Sequence, residues 1–380
     1  MKKNLIFTLS LFLLISCKTK PKKEVHPILE LIPGNELAYD GISKKEISSK
    51  IDSPEILKQL INTLGNQNFE SELMLEGLNL NANVKLLSLK NNRLIFLDLD
   101  DDILLEYNVE KKEQTILASR GRGPGDIFLS SDLHLVNDTL IISNRDMRIL
   151  KFNCKMIPCE YIDLFQLNSI VPLSITSNGK SLIALGNNKL PPQKKAISSD
   201  LIETSALWVI NTEGNITKSF GKHYDIQNHW MLQRPFSEGI VEFSEKKKLY
   251  FLAFERLPFI YAFNKNFEQV TVLKIEEFIL GKQEYDTGKG KLSVVQGGFS
   301  IISNIKNITD DSILIEVKTR KNRRIVDKIY QWDSNIDYYI INLTDFKSTY
   351  MGSNDSSSQY FVTKEMLLKR NSSNQFSLIR

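Results

Sequence analysis

Leu105-Glu106-Tyr107-Asn108 ends an apolar strand in a large side chain followed at once by Asn, a position that Asp can also fill. The pattern returns at Leu150-Lys151-Phe152-Asn153, Trp208-Val209-Ile210-Asn211, Tyr261-Ala262-Phe263-Asn264 and Tyr330-Gln331-Trp332-Asp333. Asn and Asp suit a strand-ending turn because their side chains bond nearby backbone and tolerate left-handed geometry. The five amide or acid positions lie 45, 58, 53 and 69 residues apart, about one four-stranded blade plus loop insertions. Such recurrence marks a β-propeller.

The surrounding sequence agrees. From about Glu70 onward the chain reads as short strands parted by Asn, Asp, Gly and Lys turns, among them Val84 to Leu89, Leu133 to Val136, Leu249 to Ala253 and Ile313 to Val317. Strands left over at Glu70 to Leu75 and at Tyr360 to Val362, Met366 to Lys369 and Phe376 to Ile379 come from opposite ends of the chain. Joined in one blade they would close the ring and remove its open edge. The expectation is therefore all-β: a six-bladed β-propeller over 36–380, closed by strands from both chain ends. The competing architecture is a pair of β-sandwiches split near Lys222. One helix is expected at about 53–64, with Ser53 as cap, Pro54 and Glu55 in its first turn, and Ile56, Leu57, Leu60, Ile61 and Leu64 on one face.

Ahead of this body stand Lys2 and Lys3, an apolar run from Leu5 to Ile15, and then Leu14-Ile15-Ser16-Cys17. The length and flanks are those of a secretory signal rather than a membrane span. The last four residues resemble the bacterial lipobox, which implies removal of 1–16, acylation of Cys17 and attachment to a membrane. Residues 17–35, polar, basic and broken by Pro21 and Pro27, read as a tether. An outer-membrane position, on the periplasmic face or the cell surface, is expected. The net charge of +4 is small and sits partly in the leader and tether, which argues against a nucleic-acid partner. With Cys17 assigned to lipid, Cys154 and Cys159 remain; an exported compartment permits a disulfide between them, and two free thiols are the alternative.

Between the first two repeats runs Ser119-Arg120-Gly121-Arg122-Gly123-Pro124-Gly125-Asp126-Ile127. This segment resembles the G-x-G-P-G-E loop of TolB-like, NHL-like six-bladed propeller lipoproteins of Bacteroidetes, with Asp126 in place of the usual Glu. The order of lipobox, first blade, Gly-rich loop and second blade matches as well. The resemblance implies a fold and a location, but no activity.

No catalytic residue emerges. Gly121, Gly123, Pro124, Gly125 and Asp126 could cradle an anion beside Arg120 and Arg122. They lack Walker spacing, and a structural loop, with the three glycines at positive φ, is the favoured reading. His223, Tyr224, His229 and Trp230 lie in a polar, aromatic loop that is the candidate binding surface. Asp98, Asp100, Asp101 and Asp102 read as a solvated turn, with calcium as the alternative. Asp138-Thr139-Leu140 and Asp311-Ser312-Ile313 resemble short O-glycan acceptor sites and read equally as turns entering strands. Two functions follow. One is a non-catalytic module binding a peptide, glycan or partner protein, with no cofactor. The other is a calcium-dependent hydrolase or lyase whose acidic and Asn side chains meet in the central channel.

Overall fold

The computed structural model describes residues 72–379 apart from 79, 82, 168, 189–204, 224–236, 282, 287–290, 295–297, 327–328, 356–357 and 364–365, together with Glu24–Val25 and Tyr39–Ile42. Six antiparallel sheets form a β-propeller. Blade 1 is Val84–Leu89, Arg93–Asp98, Ile103–Asn108 and Glu113–Ala118. Blade 2 is Ser130–Val136, Thr139–Asn144, Arg148–Asn153 and Glu160–Gln166. Blade 3 is Ile170–Ser177, Leu182–Asn188, Leu207–Ile210 and Ile216–Phe220. Blade 4 is Gly239–Ser244, Leu249–Phe254, Phe259–Phe263 and Gln269–Ile275. Blade 5 is Phe299–Thr309, Ser312–Val326, Ile329–Asn342 and Ser348–Asp355.

Blade 6 closes the ring. Its first three strands are Gln359–Val362, Leu367–Arg370 and Phe376–Ile379, and its outer strand is Glu72–Met74, paired antiparallel with Phe376–Ile379. The seam buries Phe96, Leu105 and Tyr107 of blade 1 against Leu368, Phe376 and Leu378 of blade 6, with the Phe96 and Phe376 rings edge-on at 5.4 Å. Tyr39–Ile42 adds a fifth, parallel strand to the outer edge of blade 4. Glu24 and Val25, within the segment expected as a tether, pair with Gln283–Asp286. The helix expected at 53–64 and Cys17 lie outside the described residues.

Burial in blade 1 peaks in the two middle strands. Every residue of Arg93–Asp98 is buried, whereas Glu113–Ala118 is exposed over its first four. Second and third strands lie between neighbouring sheets and carry continuous apolar runs; the outer strands of blades 1 to 3 are exposed over their first three or four residues.

The amides read as strand ends do close the turns after third strands. The side-chain oxygen of Asn108 accepts from the backbone N–H of Glu110 and Lys111, both at 3.0 Å. Asn153, Asn211 and Asn264 make equivalent bonds in blades 2 to 4. In blade 5 the assignment shifts: Asp333 sits in the middle of a long strand, and Asn342 makes the turn, accepting from Thr344 N–H at 2.8 Å. The third strand there runs 14 residues, so Tyr330 to Asp333 lies well before its end.

Candidate functional site in the central channel

The first strand of each blade lines the channel. Four blades place a charged residue on the inner strand: Lys85 in blade 1, Asp132 in blade 2, Glu242 in blade 4 and Lys306 in blade 5. Alternation of side chains on a pleated strand turns these positions to the axis. They wall a cavity of about 390 Å³ with His134, Asn304 and Asn307, and its mouth is rimmed by the turn residues Asn137, Asn178, Gly179 and Glu245.

Polar contacts run around this wall from blade to blade. Lys85 Nζ lies 3.5 Å from Asp132 Oδ1. Asp132 Oδ2 accepts from Ser174 Oγ at 2.6 Å and from Ile175 N–H at 2.9 Å, both in blade 3. Ser174 Oγ accepts from Val241 N–H of blade 4 at 3.2 Å. Glu242 Oε1 accepts from Asn307 Nδ2 at 2.6 Å and from the Asn307 backbone at 3.2 Å, reaching blade 5. Lys306 Nζ then donates to the carbonyl of Leu86 at 2.9 Å, back in blade 1. Behind Lys306, Glu316 of the second strand accepts from Asn304 Nδ2 at 2.9 Å.

Confinement alters the charges. Burial lowers the Lys306 ammonium; Glu242 and Glu316 work against that, and Lys85 adds to it. Burial raises the Glu242 carboxyl, against the bonds from Asn307 and the charge of Lys306. Burial pushes Glu316 up to about 7, with Asn304, Lys306 and Lys85 opposing. It brings His134 down to about 4, against the pull of Asp132 and with the help of Lys306. At neutral pH the His134 imidazole is neutral, and it shares the wall with the amines of Lys85 and Lys306 and the carboxyl groups of Asp132 and Glu242. The site can donate to and accept from a ligand that is zwitterionic or rich in hydroxyls. Among the described residues no group of three or more His, Cys, Asp or Glu is placed to hold a metal ion.

The residues singled out in sequence lie elsewhere. Gly121 to Asp126 form the connection from blade 1 to blade 2, and the loop is bonded to itself: Gly123 N–H donates to Asp126 Oδ2 at 2.9 Å, and Gly121 N–H to Ile127 O at 2.9 Å. Only Gly125 has positive φ, at 84°, which corrects the expectation for Gly121 and Gly123. Those two are needed for space, since a Cβ on Gly121 would run into the Asp126 carboxylate and one on Gly123 would meet it at 3.0 Å. Pro124 lies between them. The aspartate turn is likewise not simply solvated. Asp100 and Asp101 are exposed, but Asp98 and Asp102 are buried. Burial raises the Asp102 carboxyl, yet bonds from Ser130, Leu129 and Arg120 outweigh it and bring it below the usual range.

Cys154 and Cys159 form a disulfide across the third turn of blade 2, with Cα atoms 4.2 Å apart. Blade 1 grips this turn. The Arg93 guanidinium forms a buried two-pronged pair with Glu106, at 2.6 and 2.7 Å, and donates to the carbonyls of Cys154 and Met156. Glu106 in turn accepts from Cys159 N–H at 2.9 Å. His223 is buried, its Nε2 3.1 Å from the Gly186 carbonyl and its ring 5.6 Å from that of Phe254, so it does not present a binding surface. Tyr224, His229 and Trp230 lie outside the described residues.

Sequence reading missed the channel because its members come from separate blades. A signal was present: one charged residue inside each of Val84-Lys85-Leu86-Leu87, Ile240-Val241-Glu242-Phe243 and Ile305-Lys306-Asn307.

No family model matches the chain, and no curated protein matches it in sequence. Its fold is shared with two crystal structures. One is a protein of Bacteroides fragilis provisionally designated as exported, at 12% identity and a TM-score of 0.53, covering 87% of each chain. The other is a member of the DUF4221 family from Bacteroides vulgatus, at 10% identity and a TM-score of 0.51, covering 82% of this chain and 96% of that one. At such identity the likeness extends to the propeller architecture.

Proposed function

We propose that the protein is an exported, lipid-anchored propeller of the TolB-like, NHL-like kind that acts as a non-catalytic binding module, taking the polar end of a peptide or glycan into its central channel. The observation that carries this reading is the channel cavity itself. At about 390 Å³ it falls within the range of small-molecule sites, and its wall sets the basic Lys85 and Lys306, the acidic Asp132 and Glu242 and a neutral His134 side by side. A peptide terminus or an amino sugar offers the complementary set. Charge in such a confined site favours orientation and selection of the ligand.

The anchor rests on the sequence around Cys17 alone; export, which it requires, agrees with the exported designation of the fold relative from Bacteroides fragilis. Labelling with a palmitate analogue tests it: a labelled, membrane-bound product is expected, and an unlabelled soluble one would refute the anchor. Binding is tested with the purified chain against a panel of short peptides and amino-sugar oligosaccharides, read by calorimetry. A hit should weaken at least about tenfold in Lys306→Met and Glu242→Gln, the loss of one charge-assisted hydrogen bond. Hits indifferent to both substitutions would place recognition elsewhere on the ring.

A further inference from the structure

The opposite face of the ring carries the turns between second and third strands, and there three consecutive blades place cations at one topological position. Arg256 lies in the turn after the second strand of blade 4, Lys318 and Arg320 in the middle of the long second strand of blade 5, where Arg320 pairs with Phe299 at the start of the inner strand, and Arg370 at the end of the second strand of blade 6, where it pairs with Gln359 at the start of its inner strand. Lys318 and Arg320, two apart on one strand, project from the same side of the sheet. Neither has an ion-pair partner among the described residues. The acids of this face are engaged elsewhere: Glu238 pairs with Arg145 at 3.4 Å, Glu255 neighbours Arg256, Asp146 pairs with Arg148 at 2.8 Å, and Asp98 and Asp101 of blade 1 accept from Asn81, whose carbonyl accepts from Arg370 Nη1 at 3.4 Å.

The cations crowd one another. The Lys318 ammonium is held below the ordinary lysine range by burial and then by Arg320 and Arg370; Arg320 is lowered by burial and by Arg256. Like charges gathered in this way raise the free energy of the empty rim, and an anion would relieve it. The guanidinium groups are also held in place. Arg320 lies over the Phe299 ring at 5.6 Å, and Trp332 meets the same ring edge-on at 5.5 Å. Arg370 donates to Gln359 Oε1 at 2.9 Å and lies 5.8 Å from the Phe361 centroid.

We propose that Arg256, Lys318, Arg320 and Arg370 form a second binding site, for a phosphate group carried on a larger ligand whose ring or apolar part rests on Phe299 and Trp332. Arginine forks match the oxygens of a phosphate two at a time. Convergence of cations from three blades selects a phosphomonoester, which carries nearly two negative charges at neutral pH, over a carboxylate, which carries one. This site is separate from the channel cavity and stands whether or not a ligand enters that cavity.

The test uses the full chain with three probes: glucose 1-phosphate, glucuronate, and phosphatidylcholine vesicles with or without phosphatidic acid. Calorimetry and vesicle sedimentation are compared for wild type and a Lys318→Gln/Arg320→Gln double variant. Glucose 1-phosphate or the phosphatidic acid vesicles should bind, glucuronate at least about tenfold more weakly, and the double variant should lose at least about tenfold in affinity. Because the substitutions remove repulsion, the variant should melt no lower than wild type in phosphate-free buffer, and added phosphate ester should no longer raise its melting temperature. Binding to vesicles alone would assign the phosphate to a lipid headgroup, and binding of the free ester to a soluble ligand; either upholds the site. No binding of either phosphate probe up to about 10 mM, equal affinity for glucuronate, or a variant with wild-type affinity would overturn it.

Discussion

Replacing Glu106 by Ala should be among the most damaging single changes in the ring, although the residue lies far from the channel. Both members of the Arg93–Glu106 pair are 3% exposed, so the guanidinium would be left in a dry interior with no counter-charge. Its bonds to the carbonyls of Cys154 and Met156 satisfy N–H groups but not the net charge. Breaking one side of a buried pair costs about 3–5 kcal/mol. Cys159 N–H would lose its acceptor too, which adds about 1–3 kcal/mol. A total near 5 kcal/mol corresponds to about 6–8 °C in Tm for a chain of this size. Urea unfolding followed by tryptophan fluorescence, under non-reducing conditions, measures the loss. An Arg93→Met/Glu106→Leu double variant removes both charges and should recover most of it, because well-packed apolar replacements of buried pairs are often neutral. If Glu106→Ala lies within about 1 kcal/mol of wild type, or the double variant is no more stable than the single, the pair is not the clamp described above.

Three further outcomes are expected. Phe376→Ala, which empties the seam between blades 6 and 1, should cost about 3–5 kcal/mol in urea unfolding, and removal of 372–380 should abolish the cooperative transition, whereas a two-domain protein would keep one. Cys154→Ala/Cys159→Ala should cost roughly 2 kcal/mol, the chain-entropy value for so short a loop, measured by the urea midpoint against oxidised wild type. Glu316 and His134 should oppose one another in pH dependence. Folded Glu316 keeps its proton up to about 7 while the unfolded residue loses it near 4.5, so its contribution falls as pH rises through that window. Folded His134 stays neutral down to about 4 while the unfolded ring charges below 6.5, so its contribution falls as pH drops. Relative to wild type, Glu316→Gln should become more stable with rising pH between about 4.5 and 6.5 and His134→Gln less so; identical profiles in all three proteins would refute the assignment.

The fold was legible where the information is local. A turn amide and the large apolar side chain before it lie side by side in the chain, so Asn108, Asn153, Asn211 and Asn264 mark their blades without help from tertiary structure. The pattern slipped at Asp333 because blade 5 has strands of 15 and 14 residues, and a long strand can hold an aromatic–acid step in its middle. Gly121 and Gly123 illustrate a second limit: sequence shows that a glycine is present, but not whether φ or space demands it. The candidate site was hidden for a topological reason. Lys85, Asp132, Glu242 and Lys306 meet only through ring closure, and which face of each strand looks inward depends on the phase of its pleat.

The fifth strand of blade 4 has a bearing on the order in which the molecule assembles. Blades 1 to 5 are each built from strands adjacent in sequence, so their hairpins can form while synthesis proceeds. Tyr39–Ile42 is made before any of them, yet its partner Gln269–Ile275 follows more than two hundred residues later. The pairing is parallel and closes a very long loop, so little of it can be gained until the sheet that receives it is complete. The earliest strand of the propeller to leave the ribosome is thus placed to dock among the last, and in hydrogen exchange during refolding its amides should gain protection after those of Leu249–Phe254.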